Sequence, residues 1–166
     1  MTLDDRKRRA RARRSRSAFT LIDLTLTLFI IGLFAAIAFP RYGRLITAFQ
    51  ADATANRIAA DIRFARQQAR LRGTSQEIQF DAAADRYELV GLSHLDRPNL
   101  PYVVTLAAAD PAADIVSVAF GSTGTASVLA FDIYGRLDTS GSVFIRVGSQ
   151  QRTIRVGRTG SVEVQP

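Results

Sequence analysis

Apolar positions fall into three regimes along the chain. Phe19 to Phe39 is one apolar run of 21 residues interrupted by a single charge, Asp23. A helix of that length rises about 31 Å, close to the ~30 Å hydrocarbon layer of a bilayer. Beyond Pro40, apolar residues recur in steps of three and four. Ile46, Phe49, Ala53, Ala60, Phe64 and Leu71 mark one stripe, and Ile58, Ile62, Ala65 and Ala69 mark a second. Asp52, Arg63, Arg66 and Arg70 occupy the remaining side. A broad core face is expected from the two stripes, with the second free to widen that contact or meet a neighbouring subunit. Pro40 is expected to kink the helix rather than end it, and Gly73 to stop it.

From residue 76 the period changes to two. Gln76–Phe80 and Arg86–Val90 read as a hairpin. Residues 92–113, with three prolines, read as mostly loop around a short strand at 102–106. Further strands are expected at 115–120, 127–133, 142–147, 152–156 and 161–164, separated by Gly, Ser, Thr and Asp turns. The fold class is therefore α+β: a long N-terminal helix, half transmembrane and half amphipathic, packed on a C-terminal antiparallel β-sheet domain. The expected divisions are 1–18, a basic leader; 19–40, a membrane and assembly helix; 41–73, an amphipathic helix; and 74–166, the β domain.

Charge changes the picture at the N-terminus. Of 166 residues, 22 are Lys or Arg and 15 are Asp or Glu. Residues 1–18 hold eight of the bases and two of the acids, a net of +6, leaving 14 bases against 13 acids elsewhere. The basic character thus belongs to the leader, which weakens a genome-binding reading. Eight cations before the span, and only Arg41 and Arg44 just after it, place the N-terminus in the cytoplasm and the rest beyond the membrane. A cleaved secretory signal is the rival, with a small-x-small triplet at Ala36–Ala38. Against it stand the length of the run, the acid within it, and the absence of a polar break after it. A twin-arginine signal needs a more particular pattern than Arg13-Arg14-Ser15-Arg16 supplies.

Asp23 is costly inside a bilayer, about 2.5–3.5 kcal/mol at its centre. No residue from 24 to 39 supplies a cation, so a partner must come from another chain or a nearby amine. Cleavage just before Phe19 would create such an amine.

These residues resemble the type IV pilin and type II secretion pseudopilin family. Ser17-Ala18-Phe19-Thr20-Leu21-Ile22-Asp23 is similar to the prepilin signal Gly-Phe-Thr-Leu-Ile-Glu, with Ala18 for Gly and Asp23 for Glu. The resemblance implies cleavage between Ala18 and Phe19 by a prepilin peptidase, N-methylation of Phe19, and roles for Asp23 and Pro40 in assembly. It also implies partners: other pilin or pseudopilin subunits, an inner-membrane assembly platform and the lipid bilayer. The implied location is the bacterial inner membrane, single-pass, with the C-terminal domain extracytoplasmic. Phe131-Asp132-Ile133-Tyr134-Gly135-Arg136, Arg152-Thr153-Ile154-Arg155-Val156 and Gly160-Ser161-Val162 resemble the GspH/FimT group, which implies a minor subunit of a secretion pseudopilus or pilus.

The chemistry-bearing residues are sparse. With no Cys and one His, the chain holds no disulfide, no Cys-ligated zinc and no two-His metal motif. His94-Leu95-Asp96 lies in a Pro-rich stretch without a nucleophile elbow. Gly121–Thr125 lacks the Lys of a P-loop. No enzyme, metal or cofactor is expected. Residues 136–166 carry five arginines against two acids. Arg146, Arg152, Arg155 and Arg158 are the candidate contacts for DNA phosphates, in keeping with FimT-like pilins of DNA uptake; a solvated charged strand face is the plainer reading. The alternatives to a structural subunit are thus a DNA-binding minor pilin and a single-span membrane-anchored periplasmic protein.

Overall fold

A computed structural model describes residues 20–94, 96–108, 112–121, 124 and 126–166; the side chains of residues 38–41 and 44 lie outside that description. It forms one helix and eight strands: α1 (Leu21–Arg72), β1 (Gln76–Asp81), β2 (Arg86–His94), β3 (Arg97–Thr105), β4 (Asp114–Ala119), β5 (Val128–Phe131), β6 (Gly141–Val147), β7 (Gln150–Val156) and β8 (Val162–Gln165). The chain divides into two compact units after Arg41. Pro40 falls within α1, so it does not end the helix. Gly73 stops it, in the left-handed region at φ +63°.

In the second unit, α1 turns an alanine-rich stripe inward. Ala51, Ala55, Ile58, Ala59, Ile62, Ala65 and Ala69 are buried. These side chains join one core with the buried residues of the strands. The stripe through Ile46, Phe49, Ala53, Ala60 and Leu71 points the other way and is exposed, with only Phe64 partly covered. A single broad core face is therefore not what forms. The 58–62–65–69 stripe, extended by Ala51, Ala55 and Ala59, makes the contact alone.

The strands form two four-stranded antiparallel sheets rather than one, with orders β3-β2-β1-β5 and β4-β6-β7-β8. β5 leaves the neighbourhood of β4 and β6 to pair with β1, Ile78 opposite Leu129. The short strand expected at 102–106 starts earlier: residues 97–101, expected to be loop, join it in an edge strand over Arg97–Thr105 that takes in Pro98 and Pro101. An edge tolerates proline because one side of the strand needs no ladder donor. Alternation sends Val143, Ile145, Val147, Ile154 and Val156 into the core, facing Ile78, Leu89, Leu129, Phe131 and the helix.

Three side chains join the layers at their margins. Arg63 Nη2 donates to the Val162 carbonyl of edge strand β8 (2.9 Å). Asp85 Oδ1 accepts from the Ile115 N–H on edge strand β4 (2.7 Å). Arg66 Nε donates to the Gly135 carbonyl (3.0 Å). The last contact explains two glycines. A Cβ at Gly160 (φ +76°) would sit 2.4 Å from Arg66 Nε and 2.6 Å from the Gly135 carbonyl oxygen, and one at Gly135 (φ +69°) would sit 2.9 Å from Arg66 Cγ. Arg63 and Arg66 are thus latches between helix and sheet rather than a solvated helix side.

Candidate functional site

Three surfaces and one buried cluster carry the polar chemistry. The first is the start of α1. Thr20 Oγ1 donates to Asp23 Oδ2 (3.1 Å), and the Asp23 N–H donates to Thr20 Oγ1 (3.3 Å). With the Thr20 N–H also donating to Asp23 Oδ2 (3.5 Å), this is a reciprocal capping box with Thr20 as N-cap and Asp23 three positions on. It satisfies a helix donor that an apolar surrounding would leave orphaned. Further along, Thr25 Oγ1 donates to the Ile22 carbonyl and Thr27 Oγ1 to the Asp23 carbonyl. The Thr25 and Thr27 hydroxyls are therefore spent on the helix's own backbone, and Asp23 is the one charge of the apolar run.

Around that charge the helix is apolar and bare. Leu21 is 78% exposed and Phe29 70%, and nine more large apolar residues up to Ile37 are exposed with them. At about 1.5–3 kcal/mol for each such side chain buried, these eleven side chains represent roughly 15–30 kcal/mol of unrealised burial. Among the described residues no helix is long and apolar enough to cross a membrane; the described side chains of this run stop at Ile37. The Ala18–Phe19 junction lies outside the described residues, as does the side chain of Pro40.

The second surface is the β6-β7-β8 sheet with the four arginines that are candidate DNA contacts: Arg146 and Arg155 lie on its outer face, Arg152, opposite buried Ile145, lies on the helix-facing side, and Arg158 follows β7. They do not act alike. Arg146 is paired with Asp114 (2.8 Å). Arg152 is paired with Asp52 of α1, its side chain 11% exposed. The hydrogen bond from Arg152 holds the Asp52 carboxyl below its usual range against the opposing effect of desolvation, with charge attraction to Arg152 adding to it. Arg155 stands exposed in a cross-strand row between Ser142 and Glu163, beside an open cleft of about 420 Å³. Arg158 lies in the β7–β8 turn, where its carbonyl accepts from the Leu137 N–H (2.9 Å).

The third surface is the β5–β6 turn, where Ile133 and Tyr134 stand exposed next to Arg136. Asp132 Oδ1 accepts from the N–H groups of Tyr134 (2.9 Å) and Arg136 (2.7 Å). The sequence pattern flagged this segment by resemblance, without showing what its Asp and Gly do.

A buried cluster was missed by the sequence reading. Asp61 of α1 is 8% exposed and accepts hydrogen bonds from Tyr87 of β2 and Tyr102 of β3, the latter at 2.9 Å. Desolvation, then the Asp61 charge and hydrogen bond, push the Tyr87 hydroxyl far up. Desolvation, then the Asp61 hydrogen bond and charge, push Tyr102 up to about 12. The available signal was a lone acid between Ile58 and Ile62 on an otherwise apolar stripe; its partners, 26 and 41 residues away, carried none. His94 ends β2 with its ring stacked on Tyr102 and its Nδ1 accepting from the Asp96 N–H, so Asp96 does not orient it as a base. In the Gly121 turn, the Gly124 N–H donates to the Gly121 carbonyl, while residues 122, 123 and 125 lie outside the described ones. Among the described residues no three His, Cys, Asp or Glu side chains converge as metal ligands.

Comparison with known proteins bears on the whole arrangement. The family model "Type II transport protein GspH" matches residues 54–160. The type IV minor pilin FimU of Pseudomonas aeruginosa superposes with a TM-score of 0.52 at 17% identity, over 70% of this chain and 89% of that one. The minor pseudopilin EpsH from the Type 2 Secretion System of Vibrio cholerae superposes with a TM-score of 0.51 at 15% identity, over 69% and 95%. At these identities the two structures establish a shared fold. No curated protein matches the chain.

Proposed function

The chain belongs to the type II transport protein GspH family, and from that premise we propose that it is a minor pilin-like structural subunit of a type II secretion pseudopilus or type IV pilus. It enters the inner membrane through Phe19–Phe39, with its N-terminus cytoplasmic and residues 41–166 outside. A prepilin peptidase cleaves it after Ala18, and Phe19 is then N-methylated. It leaves the bilayer to pack its helix among those of other subunits on an assembly platform.

One observation carries this reading. α1 begins as a bare apolar rod, while residues 42–166 close their own core. Water does not tolerate such a rod, whereas acyl chains and apolar helices both do. Asp23 is its exception. Within the lone chain the Thr20 hydroxyl serves that carboxyl group; in a fibre the amine of a neighbouring Phe19 would replace it. A low dielectric strengthens that attraction and desolvation offsets part of it, so the pair sets register more than stability.

Mass spectrometry of the native chain tests the proposal: a mature N-terminus at methylated Phe19 is expected. Retention of Met1, or a start at Phe39, would refute it. Asp23→Ala is expected to leave membrane insertion intact and to lower incorporation into isolated fibres; unchanged incorporation argues against the register role. The DNA-binding alternative draws less support, because Arg146 and Arg152 are each held by a carboxylate and only Arg155 and Arg158 of that set stand clear.

A further inference from the structure

We infer that the Asp132–Arg136 turn is a docking knob, with Ile133 and Tyr134 entering an apolar recess on another pilin-like subunit and Arg70, Arg136 and Arg158 meeting carboxylates around that recess. The inference rests on the structural-subunit reading above.

The turn is rigid. Besides the two N–H groups bound by Asp132 Oδ1, the Gly135 N–H donates to the Asp132 carbonyl and the Asp132 N–H to the Arg136 carbonyl, both at 2.9 Å. Arg66 holds the turn from the helix side through the Gly135 carbonyl. At the tip, Tyr134 is 68% exposed and Ile133 45%. A tyrosine and an isoleucine on a turn fixed from both sides lose little conformational entropy on binding, which is the property of an interface anchor.

The charge around the tip selects the partner. The stem of Arg70 lies over Gly135, its Cδ 3.0 Å from where a Cβ would stand. Arg136 follows directly, and the Arg158 backbone is bonded to Leu137. Among the described residues none of these three arginines is in an ion pair. The Asp132 carboxylate is turned onto the backbone of its own turn. Asp132 and the exposed Asp138 offset part of this charge, leaving Arg70, Arg136 and Arg158 against two acids with a net of +1 that an acidic partner would meet. A nucleic-acid backbone would satisfy the arginines but leave Ile133 in water. An apolar tip flanked by unpaired arginines matches an acidic protein surface.

The test places a photo-crosslinking residue at Tyr134, or at Ser149 as control, in the full-length chain within its own host. The expected product joins position 134 to another pilin-like subunit, with little from position 149. Arg136→Glu combined with Arg158→Glu, both at exposed side chains, should lower that product about tenfold while thermal unfolding stays unchanged. Three results overturn the inference while leaving the subunit reading intact: fibre-incorporated chain giving no subunit product at 134, a product insensitive to the double charge reversal, or equal yield from 149. A gel shift of duplex DNA abolished by the same double substitution overturns it in favour of DNA. Absence of the chain from fibres defeats both readings.

Discussion

Asp61→Ala removes the acceptor shared by two buried hydroxyls. Tyr87 is 1% exposed and Tyr102 7%, so neither hydroxyl finds bulk water without a local opening. A buried donor left unsatisfied costs about 1–3 kcal/mol, which gives about 2–6 kcal/mol for the pair. Removing the carboxyl group also relieves its own desolvation, and this pulls the expected loss towards about 2–4 kcal/mol. Asp61→Asn keeps one acceptor and offers an amide donor to the second hydroxyl, which can accept; about 1–2 kcal/mol is expected. The assay is urea unfolding of the full chain in detergent, followed by near-ultraviolet circular dichroism. With a slope of about 1–3 kcal/mol/M, the alanine variant should move the midpoint down by roughly 1–2 M. Double cycles with Tyr87→Phe and Tyr102→Phe should each show coupling above about 0.5 kcal/mol. A loss below about 0.5 kcal/mol for Asp61→Ala, or an asparagine variant as damaged as the alanine one, would refute the claim that this carboxyl group ties the helix to the sheet.

Three further outcomes follow from contacts on the same unit. Gly160→Ala places a Cβ against Arg66 and the Gly135 carbonyl at positive φ, so it should cost about 1–3 kcal/mol; Gly124→Ala, with positive φ but open space, should cost less in the same melting experiment. Tyr102 titrates higher in the folded chain than in the unfolded one, so its contribution to stability is intact below about pH 10 and is lost as pH rises towards about 12; alkaline melts of Tyr102→Phe should show a shallower loss over that window. The Asp52 carboxyl titrates lower when folded, so its contribution is present above the unfolded value and fades as pH falls through the folded one; Arg152→Ala should flatten the acid limb of the stability profile.

Sequence periodicity made most of the architecture legible. Burial alternates over Val143–Val147 of β6 and Ile154–Val156 of β7, where the inward residues are the buried ones. The helix was legible as a helix but not in its orientation. Phe49 and Leu71 are more apolar than the alanines opposite them, yet it is the alanine stripe, with Ile58 and Ile62 in it, that enters the core. Two further features rest on partners distant in sequence. The pairing of β5 with β1 is a long-range choice, and the Asp61 cluster spans three elements. At the helix start, Thr20-Leu21-Ile22-Asp23 did carry the capping-box spacing, and that spacing accounts for the local partner the carboxyl group finds.

The guards on the two margins of the β4-β6-β7-β8 sheet have a consequence for crowding. Arg63 occupies a carbonyl on the β8 side, and Asp85 an amide on the β4 side. Bare strand borders invite copies to zip together in unlimited ladders. By stoppering one position on each border from a different layer, the molecule discourages that route to amyloid-like sticking. At those two positions a neighbour's strand finds no free backbone group on this sheet.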